Sequence, residues 1–181
     1  MHQDVAKVLL DQETIQGKVR ELGARLSADY AGKTPVLICI LKGAFIFTAD
    51  LMRTISIPAR VDFMAISSYG NKTRTSGVVQ ILKDLDSSIE GEHVVVVEDI
   101  IDSGLTINYL LENLSSRRPA SLRTCVLLDK PSRRVLPYTP DYVGFTVPDE
   151  FVVGYGLDYA GLYRHLPYIG VLKPDVYENR A

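Results

Sequence analysis

The chain has 181 residues, 46% of them hydrophobic, enough to bury one sizeable core and too few to favour two independent domains. Its 20 Lys and Arg stand against 22 Asp and Glu, a formal charge of -2, so no global basic field recommends a nucleic-acid binder and any anion must be captured locally. No run is apolar for long enough to span a bilayer, and the opening MHQDVAKVLLDQ turns acidic too early for a signal peptide; the expectation is a cytoplasmic protein with no membrane partner.

Between residues 11 and 32, Ile15, Val19, Leu22, Leu26 and Tyr30 recur at helical spacing, with Asp11 as N-cap and Gly32 as stop. The run VLICIL at 36–41 predicts a buried strand, followed by a helix over 44–55 and a strand over 61–69. SYGNKTRTSG, residues 68–77, is polar and has no hydrophobic period, so it reads as a mobile loop with Arg74 near a solvated tip. Then come VVQILKDL at 78–85, VVVVED at 94–99, a helical stretch over 104–116 and LRTCVLLD at 122–129. Three of the strand segments are continuous Val, Ile and Leu runs, as strands buried on both faces require, which predicts an α/β fold with a mainly parallel central sheet flanked by helices. Cys39 and Cys125 lie inside such runs and read as small buried hydrophobes in a reducing compartment. Beyond Tyr138 the chain breaks into YVGFTV, FVVGYG and YIGVLK, short apolar pieces separated by Pro and Gly. These predict a small subdomain at one end of the sheet.

The stretch VVVVEDIIDSGLT, residues 94–106, concentrates the chemistry. A buried strand runs into Glu98 and Asp99, then Asp102, then a small-residue turn that opens a helix. In doubly wound sheets ligands bind beyond the carboxyl ends of the strands, so these acids should face the ligand. Ser103, Gly104 and Thr106 offer hydroxyls and backbone N–H groups at a helix N-terminus, which suits a phosphate dianion. Other signals are weaker. GYGLDYAG comes late and lacks the long helix and ribose-binding acid of a dinucleotide site. His2, His93 and His165 have no metal-ligand spacing, and Ser103 has no G-x-S-x-G elbow.

These thirteen residues resemble the 5-phosphoribosyl-1-pyrophosphate signature of the type I phosphoribosyltransferases. The resemblance runs from about Val36 to Lys173 and is similar to the hypoxanthine and guanine branch in LKG at 41–43, SSYG at 67–70, the lysine of LLDKPSRR and FVVGYGLDYAGLYR at 151–164. It implies a single phosphoribosyltransferase domain over 1–181, with a core at about 11–137 and a small C-terminal hood that binds purine, largely 138–181, an N-terminal contribution being left open. It also implies transfer of the 5-phosphoribosyl group to N9 of hypoxanthine, and of guanine, with magnesium as cofactor.

Carried over by position, Glu98 and Asp99 hold the ribose hydroxyls and a magnesium. Asp102, Ser103, Gly104, Leu105 and Thr106 wrap the 5'-phosphate, and Asp102 also moves a proton at purine N7. Leu41, Lys42 and Gly43 form a pyrophosphate loop, in this family often with a non-proline cis peptide, and Arg164 is a further pyrophosphate contact. Ser68 and Tyr69 sit in a loop that closes over the site. Lys130 donates to the purine O6, Phe151 stacks on the base and Val152 offers backbone groups to its edge. Asp158, on the purine side, resembles a ligand of a second magnesium bound with pyrophosphate. Leu105 stands where some members carry lysine. A homo-oligomer is implied, a tetramer rather than a dimer. Two alternatives share the fold: a transferase preferring xanthine or guanine, and a regulatory RNA-binding protein, which needs a basic face.

Overall fold

The computed structural model describes residues 1–69 and 78–178. In chain order the elements are β1 (Val5–Leu10), α1 (Gln12–Asp29), β2 (Val36–Leu41), α2 (Phe45–Thr54), β3 (Arg60–Tyr69), β4 (Val78–Lys83), β5 (His93–Ile101), α3 (Leu105–Ser115), β6 (Ser121–Asp129), β7 (Tyr142–Thr146), β8 (Val152–Val153), β9 (Ile169–Leu172) and α4 (Pro174–Glu178). Six strands form one sheet in the order β4-β3-β2-β5-β6-β7, parallel throughout except for the β3–β4 pair.

The pattern of β5 shows why this sheet forms. Val94, Val95, Val96 and Val97 are all fully buried, and they alternate between two cores. Val95 and Val97 join Leu37, Cys125 and Leu127 under α1 and α2, while Val94 and Val96 join Ile38, Ile40 and Val126 under α3. A strand covered on both faces leaves no position for a polar side chain until its end. Burial pushes both cysteine thiols up, as expected of small core hydrophobes. Helix α1 starts where Asp11 caps it, Thr14 N donating to Asp11 Oδ1 at 2.8 Å, and it ends on Tyr30, two residues before Gly32.

Two placements differ from the sequence reading. YVGFTV was expected in the small subdomain, yet β7 extends the main sheet beside β6, with Cys125 opposite Tyr142 and Asp129 opposite Thr146. Tyr142 explains this: its ring is buried and its hydroxyl donates to Asp29 Oδ2 at 2.6 Å, tying β7 to the end of α1. The main sheet therefore reaches past residue 137. The N-terminal strand β1 was not predicted at all; it pairs antiparallel with β9, which pairs with β8, giving a separate three-stranded sheet β1-β9-β8. That sheet packs its own cluster of Val5, Val153, Tyr163, Leu166 and Leu172. Its pairing joins residues more than 150 positions apart, which no local period reports. Among the described residues, no helix is long and apolar enough to cross a membrane.

Candidate active site

Strand order places the acids. From β2 the chain moves outward to β3, and from β5 it moves the other way to β6, so the topology reverses between β2 and β5. Their pairing stops at Cys39 and Val97, whereas β5 continues along β6 to Ile101. The sheet thus opens immediately before Glu98 and Asp99, making the crevice expected at such a switch point.

Three close approaches fix the floor of this crevice. A Cβ on Gly43 would lie 1.7 Å from Asp99 Oδ2, and one on Gly156 would lie 2.1 Å from the Gly43 carbonyl oxygen. Gly104 has φ 84° and caps α3; a Cβ there would meet the Leu136 carbonyl oxygen at 2.6 Å. The Leu41–Lys42 peptide is cis. A cavity of about 260 Å³ results, in which Leu41 and Gly43 meet Glu98, Asp99, Asp102, Ser103, Gly104 and Thr106. Leu105 lies beside it, its N–H donating to Ser103 Oγ at 3.4 Å.

A second cavity, of about 470 Å³, shares Ile100 and Asp102 with the first and adds Lys130, Arg133, Asp149, Glu150, Phe151, Val152, Leu157 and Tyr177. Lys130 is buried and its ammonium donates to the Glu150 carbonyl oxygen at 2.9 Å, with Asp149 Oδ1 at 3.9 Å. Phe151, which lines this cavity, is 40% exposed.

Not every expected residue reaches these cavities. Lys42, Asp158 and Arg164 are not among the described residues lining either one. Asp158 instead pairs with Arg164 at 2.6 Å and accepts from Gly161 N at 2.7 Å, while Arg164 also donates to the Gly156 carbonyl oxygen at 2.6 Å. Ser68 and Tyr69 end β3, opposite Val79 and Val78. Most of the segment expected to be a loop, residues 70 to 77, lies outside the described residues.

Burial first, then the neighbouring Asp99, holds the Glu98 carboxyl well above the usual carboxylate range. Asp99 is also raised by burial, against the opposing pull of backbone N–H donors, led by Ile100 N at 2.8 Å, and of the Arg164 charge. Two adjacent carboxylates that resist ionising together suit a cation, which would take the place of the proton. Among the described residues no group of three or more His, Cys, Asp or Glu side chains could hold a metal. Glu98 and Asp99 therefore suit an ion that keeps water or ligand oxygens for its remaining positions, as magnesium does.

Arg133 and Arg134 escaped the sequence reading. Arg134 donates to the carbonyl oxygens of Ile101 at 3.1 Å and Asp102 at 2.6 Å and pairs with the Asp129 carboxylate. Val135 N and Leu136 N both reach the Ser103 carbonyl oxygen. The segment after Lys130 thus braces the turn at 102–104 from behind. Arg133 Nε lies 3.3 Å from Asp102 Oδ1, off the hydrogen-bond direction, and Arg133 Nη1 donates to Asp149 at 3.1 Å. Two adjacent cations beyond a strand end were the available signal.

A carboxylate pair at the switch point of a mainly parallel sheet, followed by a small-residue turn that opens a helix, is the arrangement of the type I phosphoribosyltransferase fold. The chain belongs to the phosphoribosyl transferase domain family, which matches residues 6–160. Within it, the chain is 55% identical to the hypoxanthine-guanine phosphoribosyltransferase of Bacillus subtilis over 179 residues, covering 99% of both. It superimposes on a crystal structure of a hypoxanthine phosphoribosyltransferase from Staphylococcus aureus with a TM-score of 0.94, at 52% identity over 98% of this chain and 96% of that one. Against the Trypanosoma cruzi hypoxanthine phosphoribosyltransferase in complex with its product IMP, the TM-score is 0.92, at 45% identity over 98% and 99%.

Proposed function

We propose that this chain serves purine salvage, transferring the 5-phosphoribosyl group of 5-phosphoribosyl-1-pyrophosphate to N9 of hypoxanthine and guanine to give IMP, GMP and pyrophosphate. The observation that carries this reading is the pair of cavities joined at Ile100 and Asp102: one suits an anion and a hydrated cation, the other a flat base beside a buried ammonium. The reacting C1' and N9 then meet at the junction, the arrangement that positioning two reactants demands. The names borne by the full-length relatives and the IMP complex of the Trypanosoma cruzi enzyme support the same substrates.

In this reading Glu98 and Asp99 hold the ribose hydroxyls and would bind magnesium, which supplies positive charge to the departing pyrophosphate. The turn from Asp102 to Thr106, at the N-terminus of α3, cradles the 5'-phosphate. Leu41, Lys42 and Gly43 present backbone groups to the pyrophosphate, and Arg164 reaches it by leaving Asp158, which is then free to act as a second cation ligand. Ser68 and Tyr69 lead into a closing loop. As the C1'–oxygen bond breaks, its electron pair leaves with pyrophosphate, the N9 lone pair forms the new bond to C1', and the base's excess proton passes from N7 to Asp102. A carboxylate there also stabilises the positive ribose. Lys130 donates to O6, which selects a 6-oxopurine over adenine, whose amino group cannot accept that bond. Phe151 stacks on the base and the Val152 backbone reads its edge.

We place the enzyme in the cytoplasm as a homo-oligomer, a tetramer rather than a dimer. Neither a xanthine preference nor RNA regulation is favoured: the net charge of -2 gives RNA no basic field. The deciding experiment incubates the protein with hypoxanthine, guanine or xanthine, magnesium and 5-phosphoribosyl-1-pyrophosphate and records nucleotide. IMP and GMP should form faster than xanthosine monophosphate. Failure to form either of the first two, or tight RNA binding without turnover, sinks the reading.

A further inference from the structure

The second cavity has a wall that the roles above leave unused. Tyr177, on α4 near the end of the described chain, lines it together with Phe151. The two rings are stacked, with centroids 5.0 Å apart and planes 20° from parallel. Tyr159 closes the group, edge-on to Phe151 at 5.6 Å and to Tyr177 at 6.5 Å.

The backbone makes this contact a built one. Leu172 N donates to the Phe151 carbonyl oxygen at 2.8 Å, so the strand that leads into α4 is fastened to the residue whose ring Tyr177 meets. Lys173 N donates to the Asp4 carbonyl oxygen at 2.9 Å and Val176 N to the Lys173 carbonyl oxygen at 3.0 Å. Val176 and Tyr177 then pack on the cluster that contains Val5, Val153 and Leu172. The five-residue helix is thus held from both edges of the small sheet, and it delivers an aromatic face to a ring that remains 40% exposed.

We propose that Tyr177 is a positioning residue for the purine base: it holds the Phe151 ring in its stacking orientation and forms the outer wall of the base cavity. This rests on the purine-transferase reading. A ring ordered before the base arrives loses little further freedom on binding, and stacked aromatic pairs contribute enough to matter, roughly a two- to tenfold change in an equilibrium constant. The contribution belongs to base binding alone, because Tyr177 is absent from the lining of the phosphate-side cavity.

The test is steady-state kinetics on the full chain. Tyr177→Leu should raise the Michaelis constant for hypoxanthine and guanine by roughly two- to tenfold, with kcat and the Michaelis constant for 5-phosphoribosyl-1-pyrophosphate unmoved, while Tyr177→Phe behaves as wild type. In a Phe151→Leu background, Tyr177→Leu should add clearly less than it does in wild type, since the ring it supports is gone and only its part as a cavity wall remains. Tyr177→Met keeps side-chain bulk without a ring and replaces the Leu variant if thermal melting shows the latter unfolded. An unchanged base Michaelis constant, an equal rise for both substrates, a Phe variant as weak as Leu, or additive effects in the double variant overturns the proposal. Wild-type protein that makes no nucleotide from either base overturns the function itself, a result separable from all of these.

Discussion

The first cavity, read above as the phosphate side, draws most of its polar groups from one unbroken stretch, residues 98–106, whereas the second, read as the base side, gathers Lys130 from just after β6, residues 149–151 from the segment after β7, Val152 from β8 and Tyr177 from α4. The first is defined largely by backbone: a strand end, a glycine with positive φ and a helix start. The second is defined by side chains whose positions depend on two sheets packing correctly. A phosphate is the same in every substrate and can be met by invariant backbone geometry, while a base must be told from its analogues by individually placed donors and rings.

Four expected outcomes can break or sharpen that contrast. The largest concerns Asp102, the one acid among the two residues that both cavities share. Asp102→Asn should leave the fold and the phosphate turn in place but lower kcat by about 10² to 10⁴-fold, the usual range for a lost proton-transfer group. Near wild-type turnover would remove Asp102 from the chemistry. Next, Gly43→Ala forces a methyl into the Asp99 carboxylate at 1.7 Å, which must displace either that carboxylate or the 41–43 loop. The expected loss is about 10²-fold in kcat/KM for 5-phosphoribosyl-1-pyrophosphate, and unaltered kinetics would show the floor to be pliable.

Lys130→Ala acts on the other side. It removes a charge-assisted donor that contributes roughly 1.5–3 kcal/mol, so the Michaelis constant for hypoxanthine should rise roughly 10- to 100-fold. A comparable rise for 5-phosphoribosyl-1-pyrophosphate would mean that the cavities are not separable. The smallest effect is on stability. Burial raises the Glu98 carboxyl above its ordinary 4.5, so the folded chain keeps that proton at a pH where the unfolded chain has lost it. The associated stability is full below about pH 4.5 and is lost as pH rises through the folded value. In the presence of chelator, Glu98→Gln should therefore melt higher than wild type at pH 8, by about 2–4 °C for each kcal/mol relieved, with the gap closing as pH falls toward 4.5. A lower melting point at pH 8 would contradict the burial argument.

The same contrast governs what could be read from the sequence. VLICIL, VVVVED and LRTCVLLD declared a two-sided parallel sheet because full burial excludes polar residues from the strand, and the acids after Val97 had to lie at its end. The β1 strand and the placement of β7 were not legible: VAKVLL is short and half exposed, and Tyr142 is fixed by a hydroxyl bond to Asp29, 113 residues away. Arg134 was overlooked for a related reason, since its partners are carbonyl oxygens of a distant turn and carry no sequence signal. Tyr177 likewise looks like an ordinary tail residue until α4 is seen against Phe151.

The contiguous glycines at the crevice floor bear on how this protein can be changed. Gly156 of the 154–157 loop packs on the Gly43 carbonyl oxygen, and Gly43 packs on the Asp99 carboxylate, so two loops and the end of β5, three segments from distant parts of the chain, share one spacing with no room for a methyl group. An engineer who transplants any one of these segments from a relative inherits the depth at which the other two must sit. Chimeras that move all three together should retain activity where single-segment swaps lose it.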